Sequence, residues 1–235
     1  MKLQDSTVLI TGANRGIGLA FAREALARGA RKVYAGARNP ASVKLQGVEA
    51  IELDVNDPDQ VAAAARHAGD VTLVINNAGI ATLGGFLGEG SIESARAQLE
   101  TNFFGPMRMG QAFAPVLAAN GGGALLNVLS IASWISSPTL AVYGASKSAA
   151  WALTNGLRNE LRAQGTQVLG LHMGFVDTDL THGLEMPKSA PEAIVRRAFD
   201  ALEAGADEVL GDELTQQVKR GLSADPGVYL RDPSA

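Results

Sequence analysis

The stretch TGANRGIG, residues 11–18, follows the apolar run TVLI and leads straight into an amphipathic segment. Its glycines fall as G-x-x-x-G-x-G and not as G-x-G-x-x-G. The setting, a strand feeding a helix through a glycine-rich turn, is nevertheless the one a dinucleotide fingerprint requires. Gly12 permits the tight turn, while Gly16 and Gly18 let the backbone and the helix N-terminus approach a pyrophosphate whose charge suits the helix dipole. Asn14 and Ile17 stand between the glycines as further loop contacts. No Gly-Lys-Ser/Thr closes the motif, so a P-loop is excluded. An ordinary strand-to-helix turn uses the same glycines, and the loop alone leaves that choice open.

Outward from this loop, apolar runs of strand length alternate with amphipathic segments of helix length. The runs are TVLI, KVYAGA, VEAIELDV, VTLVINNAG, GALLNVLS, QVLGLHMG and DEVLG. This alternation marks a parallel sheet buried on both faces, and right-handed crossovers make it a doubly wound, Rossmann-like three-layer α/β sandwich. Helices are predicted over residues 17–29, 58–68, 91–119, 141–164 and 190–204, with a short one near 212–222. Pro106 and Pro115 predict a kink or split in the third. The ending ADPGVYLRDPSA reads as a poorly ordered tail.

The 235 residues suit one domain, taken as residues 1–235 with a short C-terminal extension after about 212. A net charge of −4 without a basic run gives no nucleic-acid or anionic-membrane footprint. With no cysteine and only His67, His172 and His182, thiolate chemistry is excluded and a zinc site is starved of ligands; no metal is expected. MKLQDSTVLI enters a strand within a few residues, and no apolar run approaches a membrane span. The expectation is a cytoplasmic protein whose partner is a small molecule.

Dinucleotide folds place the group that reads the adenine ribose about twenty residues past the fingerprint: an acid for a free 2'-hydroxyl, a cation for a 2'-phosphate. That count lands on Arg38, with Ala37 where an acid would sit and Arg15 as a second cation. A guanidinium matches phosphate bidentately. The expected cofactor is NADP(H).

In YGASK, Tyr143 and Lys147 lie one turn apart on a helix face, and Ser130 ends the strand GALLNVLS. A tyrosine titrates near 10, and bringing it near 7 takes roughly 4 kcal/mol of phenolate stabilisation, for which a desolvated lysine ammonium is a source. Taken singly, Tyr143 reads as a core aromatic and Ser130 as a strand-end cap.

Taken in order, TGANRGIG, Asp54 in LDV, NNAG at 76–79, Asn102 in TNFFG, Ser130, YGASK and GFVDT at 174–178 resemble the short-chain dehydrogenase/reductase family. The resemblance implies hydride transfer between a nicotinamide and a carbonyl or alcohol. It implies Tyr143 as general acid/base, Lys147 on the nicotinamide ribose and lowering the tyrosine pKa, Ser130 orienting substrate, and Asn102 holding a water in a proton relay. Asp54 with Val55 would meet the adenine, Asn76 with Ala78 and Gly79 the cofactor-side backbone, and Gly174, Val176 and Thr178 the carboxamide. Met173 stands where the family usually has proline, and the family's frequent C-terminal Asp-Gly-Gly is absent.

Trp134, Ile135, Leu140, Met173, Phe175, Leu180, Leu184 and Met186 are expected to line an apolar substrate pocket, with Trp134 as its rigid wall. The combined expectation is an NADPH-dependent reductase of a medium-sized hydrophobic ketone or aldehyde. The alternatives are a 3-oxoacyl carrier-protein reductase and a catalytically idle NADP(H)-binding regulator. Surplus apolar surface on the helices at 91–119 and 141–164 predicts a homodimer or homotetramer.

Overall fold

Every residue of β1 (Thr7–Thr11) is buried, as a Val/Leu/Ile run must be when both faces of its sheet are covered. In the computed structural model, which describes residues 1–231, β1 lies between β2 (Lys32–Ala37) and β4 (Leu73–Asn76). With β3 (Glu49–Glu52), β5 (Ala124–Val128), β6 (Gln167–His172) and β7 (Glu208–Leu210) they form one seven-stranded sheet in the order β3-β2-β1-β4-β5-β6-β7. All six pairings are parallel.

The strand pleat divides the core in two. Val8 and Ile10 face α1 (Gly16–Ala27) and α6 (Pro191–Glu203), where Phe21 and Phe199 meet edge to face at 5.3 Å. Leu9 faces the opposite layer, made by α2 (Pro58–His67), α4 (Gly105–Ala119) and α5 (Ala141–Glu160). The chain runs outward from β1 through β2 to β3 and then returns to place β4 on the other side of β1. The crevice at the ends of β1 and β4 is therefore the switch point, where doubly wound sheets take their ligands.

Two expectations need correction. The long segment at 91–119 does divide, into α3 (Ser91–Leu99) and α4, but a π-helical turn at Glu100–Phe104 divides it. Pro106 stands in the first turn of α4, directly after the π turn, and the helix continues through Pro115 to Ala119. The C-terminal end is also more ordered than expected. Beyond α7 (Glu213–Gly221), Val228–Leu230 form a 3₁₀ turn and Val228 packs on Gly221; the last part of the expected tail lies outside the described residues.

Candidate active site

The fingerprint loop is built by close approach. Gly12 and Gly16 have φ of +66° and +54°, the left-handed region that glycine enters without strain. A Cβ on Gly18 would stand 2.2 Å from the Gly12 carbonyl oxygen, so only glycine lets α1 start so close to β1. No side chain caps α1 at Arg15 and no acid lies in its first turn, which leaves its amides and its positive end facing the crevice.

Two residues that the sequence reading passed over fasten this loop. Thr11 Oγ1 accepts from the backbone N–H groups of Asn77 (3.0 Å) and Ala78 (2.9 Å). Asn77 Nδ2 donates to the carbonyls of Thr11 (2.9 Å) and Gly12 (3.2 Å). Both lie inside quoted motifs, but their pairing depends on β1 and β4 being neighbours. Asn76, expected on the cofactor side, instead points into the core, where its Nδ2 donates to Asn127 Oδ1 at 2.8 Å. Asn77, the next residue, turns its side chain to the fingerprint loop.

Arg38 is exposed just past β2, with no carboxylate partner among the described residues. Arg15 is also exposed and pairs with Asp179 at 2.9 Å. Asp54 lies half-buried after β3, its Oδ1 accepting from the Asn56 N–H, which is a turn-forming contact; Val55 beside it is buried against Gly105.

At the other end of the crevice the π turn swings Asn102 inward. Its Nδ2 donates to the Ile80 carbonyl and to Ser146 Oγ, both at 2.9 Å, and its Oδ1 accepts from the Ile80 N–H. Both amide hydrogens are thus engaged by protein groups, and only Oδ1 keeps capacity for the expected water. Ser146 Oγ in turn donates to the Tyr143 carbonyl, so Asn102 is fastened to the helix that carries the reactive pair. A Cβ on Gly79 would lie 3.1 Å from Asn102 Oδ1 and 3.7 Å from Lys147 Nζ, which shows how closely the three converge.

Lys147 is buried and its Nζ donates to the Val128 carbonyl at 2.9 Å. Burial brings its pKa down to about 8. Burial pushes the half-buried Tyr143 up to about 12, against a smaller downward pull from the Ser130 hydroxyl. The sequence expectation that Lys147 lowers Tyr143 is therefore not met in this structure. The Nζ stands 5.8 Å from the phenol ring centroid and is turned to Val128. Ser130 ends β5's run and caps a 3₁₀ turn, its Oγ accepting from the Ala132 N–H at 3.1 Å.

The expected pocket residues divide. Ile135, Leu140, Phe175 and Leu184 are half-buried, and Leu180 and Met186 are exposed. Met173 is not in a pocket: it is buried in the core with Ile194 and Val195. Trp134 is half-buried, stacked on His172 at 3.9 Å, with Lys219 Nζ 4.8 Å from its centroid. Much of the expected wall is thus already covered by α7 and β6. Val176 is buried and bridges to Ser189, and Thr178 abuts Gly16. The Gly174 N–H donates to Asp212 Oδ2 at 2.7 Å, while Asp212 Oδ1 caps α7. The C-terminal segment thus holds the loop after β6, a contact with no local signal in the sequence.

Comparison with known proteins follows the same lines. The short chain dehydrogenase family model matches residues 6–188. A crystal structure of a short chain dehydrogenase from Burkholderia cenocepacia J2315 in complex with NADP superposes with a TM-score of 0.92 at 40% identity, covering 96% of each chain. The 1-deoxy-11-beta-hydroxypentalenate dehydrogenase of Streptomyces exfoliatus is 34% identical over 81% of this chain and 74% of that protein. The gluconate 5-dehydrogenase of Gluconobacter oxydans is 31% identical over 89% of this chain and 86% of that protein.

Proposed function

This chain belongs to the short chain dehydrogenase family, and on that premise we propose that it is an NADPH-dependent reductase of medium-sized hydrophobic ketones or aldehydes. The observation that carries the reading is the convergence of Asn102, Ser130, Tyr143 and Lys147 on one end of a crevice whose other end bears Arg38, which has no carboxylate partner among the described residues.

The residues fit the cofactor. The close approach at Gly18 and the uncapped start of α1 suit a pyrophosphate, and Arg38 suits a 2'-phosphate that an acid would repel. NADP bound in the Burkholderia structure supports the same choice. When bound, the reduced nicotinamide supplies the hydride. Tyr143, holding its proton up to about 12, is the acid that donates to the carbonyl oxygen as the alcohol forms. Ser130 holds that oxygen. Lys147 supplies a positive charge beside the nicotinamide ribose, and Asn102 fastens Tyr143's helix to the loop after β4.

The substrate assignment rests on the loop after β6, with Phe175, Leu180, Leu184 and Met186. Lys188 Nζ of this loop donates to the Thr181 carbonyl at 2.8 Å, and the neighbouring Arg15 of the fingerprint loop pairs with Asp179. An anionic substrate such as a sugar acid finds no free clamp there among the described residues, which favours neutral ketones. Exposed Leu83, Phe86, Leu87 and Ile92 support a homodimer or homotetramer. The test is nicotinamide absorbance with NADPH and a panel of neutral aryl and alkyl ketones beside small keto acids. Turnover rising with apolar bulk supports the reading; keto acids outperforming ketones overturn the pocket, and binding without any turnover leaves an idle NADP(H) binder.

A further inference from the structure

One buried titratable group at the reaction end has no part in that chemistry: His172, the last residue of β6 and fully buried. Its Nδ1 lies 3.2 Å from the Ser130 carbonyl oxygen. A carbonyl can only accept, so Nδ1 carries the hydrogen and the tautomer is fixed. The second lone pair of the same carbonyl takes the Ser133 N–H at 3.0 Å. The imidazole face stacks on Trp134 at 21° between planes, and Trp151 of α5 stands against it at 6.4 Å.

The far nitrogen, Nε2, is buried without a hydrogen-bond partner. Glu208 Oε1 on β7 lies 3.6 Å from it, and both Glu208 oxygens are already held by Lys219 Nζ of α7. Burial holds the ring's pKa down to about 4; Lys219 and Lys147 push the same way, while the Ser130 carbonyl and Glu208 oppose. At neutral pH the ring is therefore an uncharged, single donor aimed at Ser130.

We infer that His172 is a positioning residue for Ser130: donating from Nδ1 to the Ser130 carbonyl and stacked on Trp134, it fixes the turn that aims the Ser130 hydroxyl at the substrate oxygen. This rests on Ser130 holding that oxygen. The Ser130 Oγ accepts from the Ala132 N–H within the same turn, so a rotation of the Ser130 peptide moves the hydroxyl with it. A misplacement of about 1 Å in such a group costs on the order of 10²-fold in rate.

The test compares His172→Asn, whose Nδ2 reaches the position of the ring Nδ1, with His172→Leu, which has no donor. With NADPH and a neutral aryl ketone, His172→Leu should lower kcat about tenfold or more with unchanged NADPH affinity, and His172→Asn should stay within about threefold of the parent. In a Ser130→Ala background His172→Leu should add nothing further, since its effect passes through Ser130. Equal losses in the two variants, or a full loss from His172→Leu in the Ser130→Ala background, overturn the inference. Imidazole ¹⁵N spectra of the intact parent, with His172 assigned by its loss in His172→Asn, read the bond without turnover. A hydrogen on Nδ1 that persists from about pH 8 to pH 5 agrees with it, and a hydrogen on Nε2 overturns it. A parent that reduces no ketone removes the functional reading alone, and the spectrum still decides whether His172 holds Ser130.

Discussion

The two ends of the crevice are built in opposite ways. At the nucleotide end the charged groups stand in water: Arg15 and Asp179 are 68% and 72% exposed, and Arg38 is exposed too. At the reaction end Asn102, Ser130 and Lys147 are 1%, 8% and 6% exposed, each hydrogen-bonded to backbone. Exposed ion pairs contribute about 0–1 kcal/mol, whereas leaving a buried polar group unsatisfied costs about 1–3 kcal/mol. Ligand choice at the rim is therefore separable from folding, and the chemistry at the buried end is not. Tyr143 is the exception, because its hydroxyl meets the Ser130 hydroxyl rather than backbone.

The largest effects follow from that exception. Tyr143→Phe should lower turnover by at least about 10²-fold while NADPH affinity and melting temperature stay near those of the parent. Lys147→Ala should lose turnover, NADPH affinity and thermal stability together, since its Nζ also ties α5 to β5. A Phe variant that keeps most of its activity breaks the comparison at the reaction end.

The rim gives a smaller effect of another kind. Arg38→Asp should shrink or reverse the preference for NADPH over NADH by about 10²-fold with no measurable change in melting temperature. If the variant unfolds, the rim is not separable from the fold.

The pH dependence sharpens the contrast by roughly tenfold per unit. Reduction needs Tyr143 protonated, which holds to about 12, and Lys147 charged, which is lost above about 8. Its kcat/KM should be level up to about pH 8 and fall above. Oxidation of the product alcohol needs Tyr143 deprotonated, so it should rise with pH and flatten above about 8, where the loss of charge on Lys147 offsets the gain. Profiles in stopped or steady-state assays of both directions check this.

Trp134→Ala should change rates only a few-fold, extending the reaction to bulkier ketones and weakening small ones. The stacked His172 and the nearby Lys219 leave only part of the ring for substrate.

Local patterns carried the sheet and the glycine loop. Six of the seven strands fall within an apolar run readable in the sequence and β1 overruns TVLI only by Thr11, because a parallel strand buried on both faces needs such a run. Contacts between neighbouring strands carried no such signal. Thr11 and Asn77, or Ser130 and His172, meet only once the strand order is known, being 66 and 42 residues apart in the chain. Met173 looked like a pocket residue because it flanks Gly174, but the strand pleat turns it into the core. The division at Glu100–Phe104 was expected from Pro106, yet the π turn that brings Asn102 inward has no proline in it.

The ratio of kcat/KM for NADPH to that for NADH, measured on the parent protein with one neutral aryl ketone, tests the account most directly. Arg38, exposed and without a carboxylate partner among the described residues, with Arg15 as a second cation nearby, predicts a ratio on the order of 10², or about 3 kcal/mol of discrimination. Equal use of the two cofactors would contradict it.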